Sequence, residues 1–408
     1  MSAIGRRGVN AIADQQRPVG EPTTAGGRTL AARSPAGTAR PEQLPAGRGP
    51  RRVPGSVLLI GLTVALAVAL VLNLGVGAVR IAPGQVLSIL ADRLGGEFGG
   101  YTGQQAAVLE VIRAPRVLLC AVMGAALAVA GAALQGVFRN PLADPGIIGV
   151  ASGAAVGAVG AIILGSATAG TVAAGTSAVG SSGIVGRLLI PFAAFVGGLV
   201  AALVVYLMSK HQGRTETVTM VLTGIAVNAI CGALVGLLTF LADDAQLRTI
   251  VFWTMGSLGA ATWPVVMIAV PLLVICVLVT PLFGRALNVL VLGEREARHV
   301  GIDTERVRLA VVALAALGTG AAVSVAGIVG FVGLVTPHLL RLVAGPDHRL
   351  LLPASALGGA VLLLAADLVS RTIAVPAELP LGVVTALAGG PFFLYLLART
   401  RRVDGGWR

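Results

Sequence analysis

The chain has 408 residues, of which 56% are hydrophobic and only 12% are charged. That composition excludes a soluble globular protein, because so few charged side chains cannot cover a water-exposed fold. The net charge of +12 comes with only 4% aromatic residues, which excludes the basic, aromatic-interleaved face typical of nucleic-acid binding. We therefore expect a membrane protein that is surrounded by lipid and binds no nucleic acid.

Residues 1–52 are rich in proline, glycine and arginine and contain no apolar periodicity. Such a segment cannot bury enough apolar surface to offset the entropy of ordering, so we expect a disordered basic tail in the cytoplasm. Its acidic residues Asp14, Glu21 and Glu42 weigh against a targeting peptide, and an uncleaved first helix is predicted to follow. A membrane domain is expected at 53–402, with a short cytoplasmic tail at 403–408.

Apolar runs bounded by glycine, proline and charge predict about ten transmembrane helices. They lie at about 56–75, 116–138, 146–165, 187–208, 217–241, 264–283, 309–328, 330–343, 351–371 and 380–398, with a flexible outer loop at 165–186. The eighth is short enough to cross only part of the bilayer. An even number of spans puts both termini on one side. Because arginine concentrates on that side even when the tail is left out, we predict cytoplasmic termini. The predicted fold class is an all-α polytopic membrane protein.

Small residues recur every four positions in several spans, for example Gly124, Ala128, Ala132 and Gly136. This spacing puts them on one stripe, where a second helix can approach closely. Each of the three cysteines lies inside an apolar run and is predicted to be a small core residue. The sequence contains no GxxxxGK[ST] phosphate-binding motif, so any ATP hydrolysis must come from another chain. No catalytic, cofactor-binding or metal-binding residues are predicted, and the chain is not expected to be an enzyme.

Three blocks of sequence carry a resemblance to a known family. They are RAPRVLLCAVMGAALAVAGAALQGVFRNPLADPGIIGVASG (Arg113 to Gly153), GFVGLVTPHLLRLVAGPDHRLLLP (Gly330 to Pro353) and ELPLGVVTALAGGPFFLYLL (Glu378 to Leu397). In this order they resemble the FecCD-type permease subunits of ATP-binding cassette (ABC) importers for iron-siderophore, haem and vitamin B12 complexes. The likeness runs from about residue 56 to 402.

The resemblance implies a BtuC-like type II importer permease fold in the bacterial cytoplasmic membrane. It also implies a second permease chain, identical or homologous, and two cytoplasmic ATPase subunits that bind ATP and Mg²⁺. An extracytoplasmic substrate-binding protein would deliver an iron(III)-siderophore or a related chelate. The metal would arrive inside its chelator, so this chain is expected to bind no metal.

Three arginines, Arg113, Arg116 and Arg371, are predicted at the outer face, where few other cations lie. The resemblance implies that they receive carboxylates of the binding protein, for which the planar guanidinium is suited. The alternative is that they extend to the membrane interface and that Arg371 pairs with Asp367, four residues earlier on the same helix.

A long inner loop, 284–308, contains LGEREARHVGID. By resemblance its residues Gly293, Glu294, Glu296, Ala297 and Gly301 form the element that couples to the ATPase. The alternative is a solvated loop that contributes only to the charge bias. Asp303 is predicted to cap the helix that follows.

The resemblance also indicates a narrow inner gate and a pathway lining. The gate residues would be Asn140, Leu142 and Thr217, and the lining residues Thr219, Thr223 and Asn228. The alternatives are a capping turn at Asn140 and polar residues that bridge helices for packing alone.

Two other functions remain open from the sequence. An ion-coupled secondary transporter generally requires an acidic residue inside the membrane, and the only acid within a predicted span is Asp367, near an outer end. A membrane scaffold without transport would have no wet pathway.

Overall fold

The computed structural model describes residues 53–77, 79–93, 95–96, 99–172, 184–211 and 214–403. The predicted N-terminal tail lies outside these residues, as do 404–408. The regular secondary structure of these residues is helical except for one short hairpin. Its helices are α1 (Gly55–Gly75), α2 (Pro83–Arg93), α3 (Gly103–Ala107), α4 (Ala114–Val137), α5 (Val150–Val172), α6 (Ile184–Met208), α7 (Thr217–Phe240), α8 (Asp244–Met255), α9 (Trp263–Val279), α10 (Gly284–Leu292), α11 (Glu294–His299), α12 (Thr304–Ala326), α13 (Val332–Ala344), α14 (His348–Thr372) and α15 (Leu381–Val403).

Shorter elements join these helices. A π-helical turn, Val108–Arg113, connects α3 to α4 without a break, and 3-10 turns lie at Pro145–Ile148 and Thr280–Phe283. Strands β1 (Lys210–His211) and β2 (Arg214–Thr215) form the antiparallel hairpin between α6 and α7.

The predicted spans are confirmed as apolar helices at the predicted positions. Within the described residues, seven helical stretches are long and apolar enough to cross a membrane, and three shorter apolar helices occupy Val150–Gly165, Val332–Ala344 and Leu381–Tyr395. The eighth predicted span is α13, whose 13 residues rise about 20 Å at 1.5 Å per residue, less than the roughly 30 Å hydrocarbon core. The all-α polytopic fold is thus confirmed.

Two predicted loops are shorter than expected. The loop predicted at 165–186 is helical at both ends, because α5 continues to Val172 and α6 begins at Ile184. Residues 173–183, between these helices, lie outside the described residues. The inner loop predicted from residue 284 is instead helix α10 up to Leu292, because Leu287 and Leu290 are fully buried on its inner face. In the second place the composition is polar enough to resemble a loop, while the packing of α10 favours a helix.

Helix α4 lies at the centre of the bundle and is buried along nearly its whole length. The stripe of small residues explains this: a Cβ atom added to Gly124 would lie 2.3 Å from the carbonyl oxygen of Gly359 on α14. On another side, a Cβ at Gly131 would lie 1.9 Å from the carbonyl oxygen of Gly333 on α13. The predicted close helix packing is confirmed here, and backbones this near one another leave no room for larger side chains.

The other predicted core features also agree with the structure. Glycines of α5 meet α6 in the same way, since a Cβ at Gly157 would lie 2.1 Å from the carbonyl oxygen of Ala193. The cysteines Cys120, Cys231 and Cys276 are buried free thiols, as predicted.

The two ends of the bundle are recognised by the loops gathered there. We call the inner end the one that carries the turn after α4, the β1–β2 hairpin, α11 and the turn before α14; it is the end predicted to face the cytoplasm. The outer end carries the C-termini of α1 and α14, α2, α3 and the start of α4. Polar contacts at each end join helices that are far apart in sequence.

Candidate functional site

At the outer end, Arg113 caps the C-terminus of α1. Its side chain is buried and donates from Nη1 to the carbonyl oxygens of Leu74 at 2.7 Å and Gly75 at 3.0 Å, and from Nη2 to the carbonyl oxygen of Val79. Carbonyls at the end of a helix have no intrahelical donor, so a buried helix end needs partners of this kind. The guanidinium of Arg113 therefore has an internal structural role.

Arg116 and Arg371 meet at the carboxylate of Asp367, which is fully buried. Arg116 Nη2 lies 2.9 Å from Asp367 Oδ1, and Arg371 Nε lies 3.0 Å from Asp367 Oδ2. Arg116 Nη1 also donates to both carboxylate oxygens of Glu378, at 3.0 and 2.8 Å. The Asp367–Arg371 pair, the alternative stated for Arg371 from the sequence, is confirmed.

Asn73 at the end of α1 completes this outer cluster. Its amide accepts a hydrogen bond from Arg371 Nη2 at 2.8 Å and donates to the carbonyl oxygens of Ala69 and Leu364. In this structure the three arginines contact residues of the chain itself. Arg113 and Arg116 are buried, only 7% of the Arg371 side chain is exposed, and each guanidinium has internal partners. Docking of a binding protein here remains a prediction.

At the inner end, α11 is a short helix that lies between α10 and α12 in the chain. Gly293 begins it with φ 146° and Gly301 follows it with φ 83°, backbone conformations that favour glycine. Ala297 is fully buried in the main core, and the backbone N–H of Ile302 donates to its carbonyl oxygen at 2.9 Å. Glu296 is exposed on the other side of the helix. The predicted coupling residues thus lie together on α11 and its two flanking glycines, and their contact with an ATPase stays a prediction.

The helix cap predicted at Asp303 is confirmed. Its Oδ1 accepts hydrogen bonds from the backbone N–H groups of Glu305 and Arg306, at 3.2 and 3.1 Å. This cap directs the chain from α11 into α12 within a few residues.

A second polar cluster lies beside α11, and its membership was not predicted from the sequence. Arg308, on the first turns of α12, contacts Glu294 of α11, Glu305 of α12 and the carbonyl oxygen of Thr215 on β2. Glu305 in turn accepts from the Thr215 backbone N–H and from the Tyr206 hydroxyl. Only Glu305 and Arg308, three residues apart at the start of a span, gave a local signal, since charged residues at a membrane entry need partners.

The predicted gate residues occupy two inner segments. Asn140 Oδ1 accepts from the backbone N–H of Leu142 at 2.9 Å, which forms a local turn after α4. Asn140 also lines an open inner cleft of about 500 Å³, together with Gln135, Arg139, Asn288, Arg341 and His348. Leu142 is 37% exposed, and Thr217 begins α7 with its side chain half-buried. The capping turn stated as the alternative is present, and the gate remains a prediction.

Among the predicted lining residues, two use their polar atoms locally. Thr219 donates to Glu216 Oε2 at 2.9 Å. Asn228 donates to the carbonyl oxygen of Gly146 at 3.2 Å and accepts from the Ser152 hydroxyl, so it bridges α7 to the start of α5. Thr223 is half-buried on the same helix. The bridging alternative therefore describes Asn228 in this chain, and the lining of a pathway is untested.

Metal chemistry gains no support from the described residues. None of the His, Cys, Asp and Glu side chains in that part of the chain come together in a group of three or more that could coordinate a metal ion.

The sequence and the fold are both similar to those of known proteins. Residues 65–399 match the model of the FecCD transport family. The chain is 45% identical over 295 residues to the hemin transport system permease protein HmuU of Yersinia pestis, which covers 72% of this chain and 84% of the relative. It is 45% identical over 296 residues to the cobalamin import system permease protein BtuC of Halobacterium salinarum, and this match covers 72% of this chain and 74% of the relative.

A solved structure of an inward-facing ABC transporter assigned to the metal-chelate type superposes with a TM-score of 0.71 at 31% identity. The match covers 84% of this chain and 99% of the solved one. The similarity thus extends over nearly all of the described helical bundle.

Proposed function

Because this chain belongs to the FecCD transport family, we propose that it is the permease subunit of an ABC importer that carries an iron(III)-siderophore or a related metal chelate. It works with a second permease chain, identical or homologous, in the bacterial cytoplasmic membrane. Two ATPase subunits act at its inner end, and a substrate-binding protein delivers the chelate at its outer end. ATP and Mg²⁺ bind to the ATPase subunits.

The observation that carries the mechanism is the anchoring of α11 to the core and to α12. A separate ATPase can drive a permease only through an element that moves together with the membrane helices. Ala297 anchors α11 in the core, and Glu294 ties it to the buried Arg308 on α12. A displacement of α11 is therefore passed to the spans and is not absorbed by a flexible loop.

The substrate class rests on the relatives. Those described above are named for hemin and cobalamin transport, and the solved structure is assigned to metal chelates. Each cargo is large and carries its metal in an organic ligand. We favour a ferric siderophore and treat haem and cobalamin as the outcomes to be compared.

An ion-coupled secondary transporter is the competing function. The acid it would use is Asp367, which is fully buried and paired with both Arg116 and Arg371. An ion-coupling carboxylate must be open to the ion that it carries, whereas both oxygens of Asp367 lie against guanidinium groups. This pairing supports the ATP-driven alternative.

The test is uptake in proteoliposomes that contain the permease, its co-expressed ATPase subunits and the binding protein. The cargo is offered as a ferric hydroxamate siderophore, as hemin or as cobalamin, in separate assays. We expect vanadate to abolish uptake and a proton uncoupler to leave it unchanged. Uptake that stops with the uncoupler and continues with vanadate would replace the proposal by the secondary transporter. If no cargo is taken up although ATP is hydrolysed, the result would favour a membrane scaffold without transport.

A further inference from the structure

Arg308 joins three segments of the inner end with one buried guanidinium. Its side chain is only 3% exposed, and its Nη2 lies 2.5 Å from Glu294 Oε1 on α11. Its Nη1 donates to the carbonyl oxygen of Thr215 and lies 3.3 Å from Glu305 Oε2. A planar guanidinium presents its donors in a fixed fork, so these partners are held in one geometry relative to each other.

The same cluster restrains every polar atom of Thr215. Its backbone N–H donates to Glu305 Oε2 at 3.1 Å, its hydroxyl donates to Glu305 Oε1, and its carbonyl oxygen accepts from Arg308. Thr215 is buried and lies on β2, opposite Lys210 of β1. The Tyr206 hydroxyl at the end of α6 donates to Glu305 as well, at 3.2 Å.

Thr215 lies only two residues before the first residue of α7. The chain between them is short and ordered: the backbone N–H of Glu216 donates to the carbonyl oxygen of Ser209 at 3.2 Å, and Glu216 then accepts from Met220. A shift of Thr215 must therefore move the start of α7, because no flexible residues separate them. That start carries Thr217, the predicted gate residue.

We propose that Arg308 is a positioning residue that transmits movement of α11 to the inner end of α7. The route runs from Glu294 through Arg308 and Glu305 to Thr215, and then along the chain to Thr217. This inference rests on the function proposed above, because it takes α11 as the element that the ATPase moves. It adds the physical link between that element and the gate.

Two substitutions separate transmission from simple anchoring. Arg308→Lys keeps the positive charge but replaces the fork by one ammonium, which cannot maintain contacts to three segments. Thr215→Val is nearly isosteric, keeps both backbone hydrogen bonds and removes only the hydroxyl bond to Glu305. Arg306→Lys is the matched control, because Arg306 lies on the same turn of α12 with its side chain 88% exposed.

The readout is the accessibility of the gate, measured on the complete complex with its ATPase subunits in nanodiscs. Cys120, Cys231 and Cys276 are replaced by alanine, and Thr217→Cys is labelled with a water-soluble maleimide, with and without ATP plus vanadate. We expect the nucleotide to change the labelling rate in the parent and in Arg306→Lys. In Arg308→Lys that change should be lost, in Thr215→Val, which keeps the two backbone hydrogen bonds, it should be reduced, and in both variants uptake per ATP hydrolysed should fall.

Each result decides the inference. Full nucleotide dependence of labelling in both Arg308→Lys and Thr215→Val overturns it, and so does a parent complex whose labelling ignores the nucleotide. If Arg308→Lys does not assemble, Thr215→Val alone decides, because it alters no charge. Failure of the proposed function would be seen separately, as uptake by the unmodified complex that vanadate does not stop.

Discussion

Arg116 and Asp367 are 251 positions apart in sequence and form a buried ion pair, with guanidinium Nη2 2.9 Å from carboxylate Oδ1. Asp367 has no exposed side-chain surface, and it also balances Arg371. One carboxylate therefore neutralises two cations at the outer end of the bundle, while Glu378 supplies a second, partly exposed acid to Arg116.

Asp367→Asn should strongly destabilise the protein. The substitution leaves two buried guanidinium groups without their shared counter-ion, and breaking a buried pair in this way costs about 3–5 kcal/mol. We expect a lower unfolding temperature for the purified permease in detergent. Glu110→Gln is the control, since Glu110 pairs with the largely exposed Arg93, and it should leave the temperature unchanged. Equal stability of Asp367→Asn and the parent would contradict the structural role.

Arg113→Gln should lower stability even when no binding protein is present. It removes the donors that cap the carbonyl oxygens of Leu74, Gly75 and Val79, and losing charged hydrogen bonds of this kind costs about 2–3 kcal/mol. The measurement is thermal unfolding of the isolated permease, with the exposed outer Arg80→Gln as control.

A pure docking role for Arg113 makes the opposite prediction. Thermal stability of Arg113→Gln would then equal that of the parent, and only the stimulation of ATP hydrolysis by the binding protein would fall. Both quantities should therefore be measured on the same preparation.

Gly131→Ala should separate α4 from α13. The new Cβ would lie 1.9 Å from the carbonyl oxygen of Gly333, and a backbone atom cannot move aside as a flexible side chain can. We expect a loss of about 3 kcal/mol, the upper part of the usual range for overpacked cores. Gly61→Ala on α1 is the matched control, because nothing lies within 4 Å of its added Cβ. Unfolding temperatures that fall equally in both variants would contradict close packing as the cause.

Asp347→Ala should destabilise the start of α14 in a pH-dependent way. The Asp347 carboxylate accepts from Asn288 at 2.6 Å and from the Arg349 backbone N–H at 2.9 Å, and these bonds lower its pKa, with the Asn288 bond the larger cause. A lowered pKa in the folded state means that the stabilisation is complete above the unfolded value of about 3.9. It is lost as the pH falls through the folded pKa.

We therefore expect Asp347→Ala to cost about 1 kcal/mol at pH 7, typical of a lost helix cap, and less at acid pH. Unfolding temperatures measured between neutral and acid pH check this. Asp347→Asn, which still caps the helix, should keep most of the stability. A difference between the alanine variant and the parent that does not change with pH would show that the carboxylate's charge contributes nothing.

The membrane spans and the family could be predicted from the sequence because both depend on local patterns. A bilayer requires a run of about 20 apolar residues whose backbone hydrogen bonds are closed within the helix, so each span carries its own signal. The glycine stripes, the cap at Asp303 and the glycine after α11 are equally local. The three motif blocks needed only their order along the chain.

The partners of the polar side chains depended on the tertiary structure. Arg116 meets Glu378 across 262 positions, and Arg371 meets Asn73 across 298. No spacing rule brings such residues together, so the outer arginines could be located but their burial could not be foreseen. For the same reason Arg308 contributed only a positive charge when read in sequence. It became the junction of α11, α12 and the hairpin once helix packing brought Glu294 and Thr215 to its guanidinium.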